Sequence, residues 1–161
     1  MWKTRSVQIG SLFIGSGNEI AVQSMTNIKT SDTEQTINQI KALSDEGCDI
    51  VRLAIQNQRD IRSCAEIKDR LIKEGYFIPL AADIHFYPQA ALEVADYVEK
   101  IRINPGNYAA GESQIRSLFI PLVKKCKKEK KALRIGANHG SIHKEIKERI
   151  RNEWNADLQS A

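Results

Sequence analysis

Short apolar runs alternate with longer amphipathic stretches along most of the chain. The apolar runs cover residues 20–25, 49–55, 78–84, 100–103 and 132–135. In the stretches between them, apolar residues recur every three or four positions, which is typical of helices with one buried face. Apolar strands that alternate with amphipathic helices predict a parallel sheet covered by helices.

Local signals predict where the helices begin and end. Residues 31–34 (SDTE) form a capping-box pattern that predicts the start of the first helix, and Gly47 ends that helix. The other helices are predicted over residues 59–73, from Pro88 to about Tyr97, over 112–128 after a glycine-rich loop at 104–111, and from a cap at Ser141. Each predicted strand is therefore followed by a predicted helix.

Before the first apolar run, residues 6–18 predict a short β-hairpin. Val7, Ile9 and Phe13 alternate with polar residues, and residues 15–18 (GSGN) favour a turn. In a barrel, this hairpin is expected to border the amino-terminal mouth.

Polar residues lie at the carboxyl end of every predicted strand, which favours a barrel over an open doubly wound sheet. The G-x-G-x-x-G fingerprint of such a sheet is not met, because the glycines at residues 15–17 precede a strand. We expect an α/β fold, a partial TIM-type (β/α) barrel of about five of the eight strand–helix units. We expect a single incomplete barrel domain over residues 1–161.

Composition narrows the classes of function. The 161 residues carry a net charge of +4, and 6% of them are aromatic. These values favour an acidic small ligand over a nucleic acid, and no apolar run is long enough to span a membrane. We expect a cytoplasmic protein. Because Cys48, Cys64 and Cys126 lack metal-ligand spacing, no metal site is predicted, and all three are expected to be buried packing residues.

Three arginines carry the most specific signal. Arg52, Arg102 and Arg134 each lie inside an apolar strand, where an unpaired buried charge is strongly destabilising. At the carboxyl edge of the sheet they would form a clamp for phosphate or diphosphate. The alternative is that each pairs with a carboxylate, for which Asp83 and Asp49 are the candidates.

Three further segments place polar residues at strand ends. Asp83 and His85 are two positions apart and share a face, so the carboxylate would orient the imidazole to donate a proton or hold a substrate oxygen. A purely structural histidine is the alternative. Residues 104–107 (NPGN) and 138–141 (NHGS) offer backbone N–H groups to an anion, or form a plain turn and an N-cap.

Five motifs occur in a fixed order and together resemble one enzyme family. They are residues 21–27 (AVQSMTN), 49–52 (DIVR), 82–86 (ADIHF), 102–107 (RINPGN) and 134–141 (RIGANHGS). From about residue 5 to about residue 146, the chain resembles the 4-hydroxy-3-methylbut-2-enyl diphosphate synthases of the non-mevalonate isoprenoid pathway. The tail over residues 147–161 has no counterpart in the resemblance.

The resemblance implies a TIM-type barrel followed by a separate iron–sulfur domain. It implies two-electron reductive opening of 2-C-methyl-D-erythritol 2,4-cyclodiphosphate, with a ferredoxin- or flavodoxin-type donor, in a homodimer. It also implies a four-iron four-sulfur cluster held by three cysteines and a glutamate of the second domain. The diphosphate-binding positions of the family fall here on Arg52, His85, Arg102, Asn104, Arg134 and Asn138, with Asp83 beside them. His85 and Asp83 are the expected catalytic residues.

The chain departs from the family pattern at its end. Three barrel strands, a diphosphate-binding lysine of the family and the cluster domain have no counterpart here, and the three cysteines match none of the cluster ligands. We therefore expect this chain alone to be inactive. Two alternatives stay open: a truncated, non-enzymatic anion-binding fragment, and a pterin-binding barrel similar to dihydropteroate synthase.

Overall fold

Every predicted apolar run contains a strand in the computed structural model, which describes residues 4–109 and 112–160. The strands are β1 (Val7–Ile9), β2 (Leu12–Ile14), β3 (Gln23–Met25), β4 (Ile50–Ile55), β5 (Leu80–Ile84), β6 (Lys100–Ile103) and β7 (Ala132–Ile135). The helices are α1 (Thr33–Asp45), α2 (Gln58–Lys73), α3 (Gln89–Val94), α4 (Pro105–Tyr108), α5 (Glu112–Lys128), a 3-10 helix (His139–Ser141) and α6 (Lys144–Ser160).

The five later strands form one parallel sheet in chain order, β3-β4-β5-β6-β7, while β1 and β2 pair as an antiparallel hairpin. Each parallel strand pairs with the next one along the chain after an intervening helix. This repeat is the building unit of a (β/α) barrel. The predicted partial barrel with an N-terminal hairpin is therefore confirmed.

Alternation along the strands separates two faces of the sheet. Large apolar side chains such as Leu53, Leu80 and Ile101 are fully buried against the surrounding helices. Strand residues at the alternate positions, such as Arg52 and Lys100, point to the opposite face. The apolar core therefore lies on the helical side, and the other face carries the charged residues.

The hairpin packs on that charged face at its amino-terminal end. Ile9 is 1% exposed and packs with Ile50, Ala81 and Ala132, which lie on β4, β5 and β7. Ile50 and Ala132 are the first residues of their strands. The hairpin therefore borders the amino-terminal mouth, as predicted, and leaves the carboxyl ends of the strands uncovered.

Two strands begin later than predicted. β3 starts at Gln23 rather than at residue 20, and Ile20 is 94% exposed. β3 is an edge strand with a single neighbour in the sheet, so its outer residues gain little burial. β5 starts at Leu80 rather than at residue 78, because Pro79 has no N–H to donate to a ladder.

The first helix is capped differently from the predicted box. Asp32 is the N-cap and accepts a hydrogen bond from the backbone N–H of Gln35. Glu34 turns outward instead and binds Arg70 of α2, which lowers the pKa of the Glu34 carboxyl. Glu34 therefore pairs with the next helix and does not form the predicted capping box.

The third and last helices also differ from their predicted bounds. α3 ends at Val94, and the chain closes into a turn in which the N–H of Tyr97 donates to Val94. Ser141 does not cap α6, which begins at Lys144. It forms a reciprocal pair with Asn138 across the short 3-10 helix.

The predicted loop over residues 104–111 contains a short helix. Residues 105–108 form α4, which the Asn104 side chain caps by accepting from the N–H of Gly106 at 3.2 Å. Residues 110 and 111 lie outside the described part of the chain.

The cysteines are mostly buried packing residues, as expected. Cys64 and Cys126 are buried. Burial raises the pKa of the Cys64 thiol to about 12 and also raises that of Cys126, so neither is a reactive thiolate near neutral pH. Cys48 differs because it is only half-buried, and its thiol donates to the carbonyl of Ile50 at 3.1 Å.

The hairpin contact predicts a clear stability difference between two apolar residues. We expect Ile9→Ala to lower the free energy of unfolding by about 2–5 kcal/mol, because it leaves a cavity under three strands. Phe13→Ala is the control, since Phe13 is 53% exposed on the same hairpin. Urea denaturation measures both, and equal losses would show that the hairpin does not seal the sheet.

Candidate anion site on the concave face

The strands of the parallel sheet contain four cationic residues and one acidic residue. They are Arg52, Lys100, Arg102, Arg134 and Asp83. In-register pairing aligns Arg102 with both Asp83 and Arg134, so the three side chains share one face of the sheet. Arg52 and Lys100 both align with Ala81, two residues before Asp83, and therefore lie on that face too. The three arginines share one face, as predicted.

We call this surface the concave face and define it by Gln23, Arg52, Asp83, Lys100, Arg102 and Arg134. Its curvature is visible in a hydrogen bond from Lys100 Nζ on β6 to Gln23 Oε1 on β3, at 2.8 Å. In a flat sheet these strands would lie about 14 Å apart. The sheet therefore curls around this face as a barrel wall does.

Asp83 is the centre of the charged cluster. Its side chain is 4% exposed, and its Oδ1 accepts from Arg102 Nη1 at 2.8 Å. Its Oδ2 lies 3.5 Å from Arg52 Nε and 3.6 Å from His85 Nε2. One carboxylate therefore serves two arginines and lies beside the imidazole, as the period-two spacing of Asp83 and His85 predicts.

The alternative of one carboxylate for each arginine is not what the structure shows. Asp49 accepts from the backbone N–H of Val22 at 2.7 Å instead of pairing with an arginine. Arg134 has no ion-pair partner among the described residues, and neither does Lys100. Burial, followed by repulsion from Arg134 and Arg52, lowers the pKa of Lys100. The concave face therefore has a marked excess of positive charge.

Contacts beyond Asp83 hold the two paired arginines. Arg52 donates to the Met25 sulfur from Nε at 3.3 Å and from Nη2 at 3.1 Å, although a thioether is a weak acceptor. Arg102 Nη2 donates to the carbonyl of Gly136 at 3.3 Å. A Cβ atom at Gly136 would lie 2.6 Å from Arg102 Nε, so any larger residue here would displace the guanidinium group from its present position.

Two residues expected to bind substrate also cap local turns. Asn104 is 3% exposed and caps α4, while Asn138 is exposed and pairs with Ser141. The two loops pack closely, because a Cβ atom at Gly106 would lie 1.6 Å from the carbonyl oxygen of Ser141. The caps fix the positions of both asparagines at the ends of β6 and β7, and their expected contact with substrate stays a prediction.

Sequence reasoning did not single out Lys100 or the strain at Phe86. Lys100 had a signal, since it stands two positions before Arg102 and so faces the same way. Phe86 follows His85 with a φ of +54° and is 76% exposed. A left-handed backbone is unusual for an aromatic residue and is often found near functional sites, but no sequence signal predicts it.

The described residues do not fit an iron–sulfur cluster. Across residues 4–109 and 112–160, no three His, Cys, Asp or Glu side chains are grouped closely enough to hold a metal ion. The cysteines lie in separate elements: Cys64 in α2, Cys126 in α5 and Cys48 before β4. None of the helices in this part of the chain is both long and apolar enough to cross a bilayer.

A parallel α/β sheet with a cationic carboxyl edge defines a domain of the TIM-barrel class. Residues 4–161 match the profile of the GcpE TIM-barrel domain, and the chain belongs to this family. The match continues through the residues after 146, where the resemblance noted from the motifs ended.

Curated relatives are named 4-hydroxy-3-methylbut-2-en-1-yl diphosphate synthase (flavodoxin). That of Chlamydia muridarum is 48% identical over 91% of this chain and 27% of its own length. Those of Chlamydia trachomatis serovar L2 and Protochlamydia amoebophila are 47% and 46% identical over 99% and 91% of this chain. The chain spans 25–29% of the length of these relatives.

Solved structures share the fold at low sequence identity. A truncated 3-deoxy-D-arabino-heptulosonate 7-phosphate synthase from Thermotoga maritima has a TM-score of 0.56 at 15% identity, covering 81% of this chain and 45% of its own. A dihydropteroate synthase from Burkholderia cenocepacia has a TM-score of 0.54 at 11% identity, covering 85% and 64%. At these identities the likeness concerns the fold alone.

The close approach of Gly136 to Arg102 predicts a measurable effect for a small change. We expect Gly136→Ala to lower the free energy of unfolding by about 1 kcal/mol, because the new methyl group displaces the guanidinium group from its contact with Asp83. Gly140→Ala is the matched control, since its Cβ atom would meet only Asn138 Oδ1 at 3.4 Å. Thermal unfolding of both variants checks this, and an undisturbed Gly136→Ala protein would contradict the packing described.

The shared carboxylate predicts anion-dependent stability. We expect Asp83→Asn to lower the free energy of unfolding by about 1–3 kcal/mol, since two guanidinium groups lose their counter-charge. Added sulfate should recover more of this loss in the variant than it adds to the wild type. Asp69→Asn, at an exposed ion pair on α2, is the control. An equal effect of sulfate on both variants would count against a cationic cluster neutralised by Asp83.

Proposed function

We propose that this chain supplies the substrate-binding surface of a 4-hydroxy-3-methylbut-2-enyl diphosphate synthase. The observation that carries the proposal is the concave face, where four cationic residues and one carboxylate share a single face of the sheet. Family membership and the names of the relatives support it. The substrate proposed is 2-C-methyl-D-erythritol 2,4-cyclodiphosphate.

In this proposal the arginines bind the diphosphate. Arg102 and Arg52 are held by Asp83, which orients their remaining N–H groups. Arg134 is exposed beside them and makes no ion pair within residues 4–109 and 112–160, so its donors can reach phosphate oxygens. Two arginines held by Asp83 and a third without an ion pair in this part of the chain together suit a ligand with more than one anionic group.

His85 is proposed to hold or protonate a substrate oxygen at the rim of the same face. Its Nε2 lies 3.6 Å from Asp83 Oδ2, and its backbone N–H donates to Ile55 at 3.0 Å, which extends the ladder past the strand end. Asn104 and Asn138, which also correspond to family substrate-binding positions, are proposed to shape the rim through their caps.

The reduction requires two electrons, which the family takes from a four-iron four-sulfur cluster and a flavodoxin- or ferredoxin-type donor. Because the residues described here do not fit such a cluster, its ligands are proposed to lie in other parts of a longer, dimeric protein. This chain's contribution is binding, orientation and charge neutralisation of the substrate.

The test is binding of the cyclodiphosphate, measured by isothermal titration calorimetry. We expect Arg134→Met to weaken binding by about 1.5–3 kcal/mol, because a charge-assisted contact to phosphate is lost. Arg134→Lys should also weaken it, since an ammonium cannot make the paired contact.

Arg62→Met on the exposed side of α2 removes the same charge away from the concave face and serves as the control. Equal affinities of the Arg134 and Arg62 variants would refute the proposed site. Binding of a pterin in place of the cyclodiphosphate would favour the dihydropteroate-synthase-like alternative.

A further inference from the structure

Lys100 occupies the centre of the concave face. It lies on β6 in register with Ala81 and Ala132 of the two neighbouring strands. Ile9 of the hairpin packs on both alanines, and the lysine side chain extends across the concave face to reach Gln23 on the first strand of the sheet. The ammonium group therefore lies toward the amino-terminal end of this face, within electrostatic reach of Arg52 and Arg134.

The charges around Lys100 are unfavourable in the absence of an anion. Arg52 approaches from β4, Arg134 from β7 and Arg102 from the same strand, while Asp83 on β5 is engaged by Arg52 and Arg102. The neutral Gln23 is the hydrogen-bond acceptor of Lys100 within the described residues, and an ammonium has three donors. Burial, and after it repulsion from Arg134 and Arg52, lowers the pKa of Lys100.

A structural tether would not need a positive charge at this position. A neutral side chain would reach Gln23 without repelling Arg52 and Arg134, so the charge costs stability unless an anion neutralises it. Binding sites commonly retain such destabilising groups for function.

We propose that Lys100 is a further anion-binding residue, positioned by Gln23 so that its ammonium contacts a second anionic group of the ligand between Arg52 and Arg134. This inference rests on the proposed function, since it assigns Lys100 to the same diphosphate site. It makes the site selective for a diphosphate over a single phosphate, because the second group needs a second set of cations.

The test uses inorganic pyrophosphate and orthophosphate as probes, with binding measured by calorimetry. We expect Lys100→Met to weaken pyrophosphate binding about tenfold and orthophosphate binding much less. Gln23→Glu, which would neutralise the ammonium with a carboxylate, should weaken pyrophosphate binding to a similar extent. Lys124→Met on the outer helix α5 removes the same charge and should leave both affinities unchanged.

Stability provides a readout that separates binding from a structural role. Because the pKa of Lys100 is lowered in the folded protein, its charge destabilises the fold below that pKa. The destabilisation disappears as pH rises toward the ordinary lysine value of about 10.4. The Lys100→Met variant should therefore have a melting temperature no lower than that of the wild type near neutral pH. It should also lack the increase in stability that the wild type shows as the pH rises toward the lysine pKa. A clearly lower melting temperature would mark Lys100 as structural and overturn the proposal.

The conservative variant gives a third check. Lys100→Arg should keep pyrophosphate affinity within about threefold. It should also remove the affinity loss that the wild type shows as Lys100 deprotonates, since arginine stays charged. If Lys100→Met binds pyrophosphate like the wild type while Arg134→Met does not, the role of Lys100 is refuted and the proposed site stands. If the wild type binds no pyrophosphate, the proposed function itself fails.

Discussion

The carboxylate of Asp83 is the interaction on which the concave face depends. It is almost fully buried, accepts from Arg102 at 2.8 Å and lies 3.5 Å from Arg52 Nε. One negative charge therefore orders two guanidinium groups but neutralises only half of their charge. The face stays cationic while its donors are held in place, which is the preorganisation that recognition of a polyanion needs.

This arrangement is tolerated because the same strands are stabilised from their other side. Leu53, Leu80 and Ile101 alternate with the charged residues and are fully buried under the helices, where each contributes about 1.5–3 kcal/mol. The hairpin adds Ile9 at the amino-terminal end. Stability thus comes from the helical side of the sheet and from the hairpin, so the concave face can hold cationic groups that repel one another.

Much of the fold and of the candidate site follows from local sequence patterns, and the local predictions that were wrong share one cause. Arginines inside apolar strands were visible as buried charges, and period-two spacing aligned Asp83 with His85. The capping box failed because Arg70, 36 residues away, takes Glu34 from the helix start. Residues 104–111 were predicted as a loop, yet residues 105–108 form a helical turn that the Asn104 side chain caps. In both cases a hydrogen-bond partner that the pattern did not weigh engages the polar side chain.

The sequence by itself determined the order of the elements, the parallel sheet, the family resemblance and the shared face of the three arginines, because these depend on periodicity within single strands and helices. The tertiary structure alone decided which partners meet across the sheet. Asp83 is shared by two arginines, Gly136 lies against Arg102, and Lys100 reaches Gln23 across 77 positions of the chain. These contacts depend on inter-strand register and on the curl of the sheet, which are properties of the packed strands together and not of any one segment.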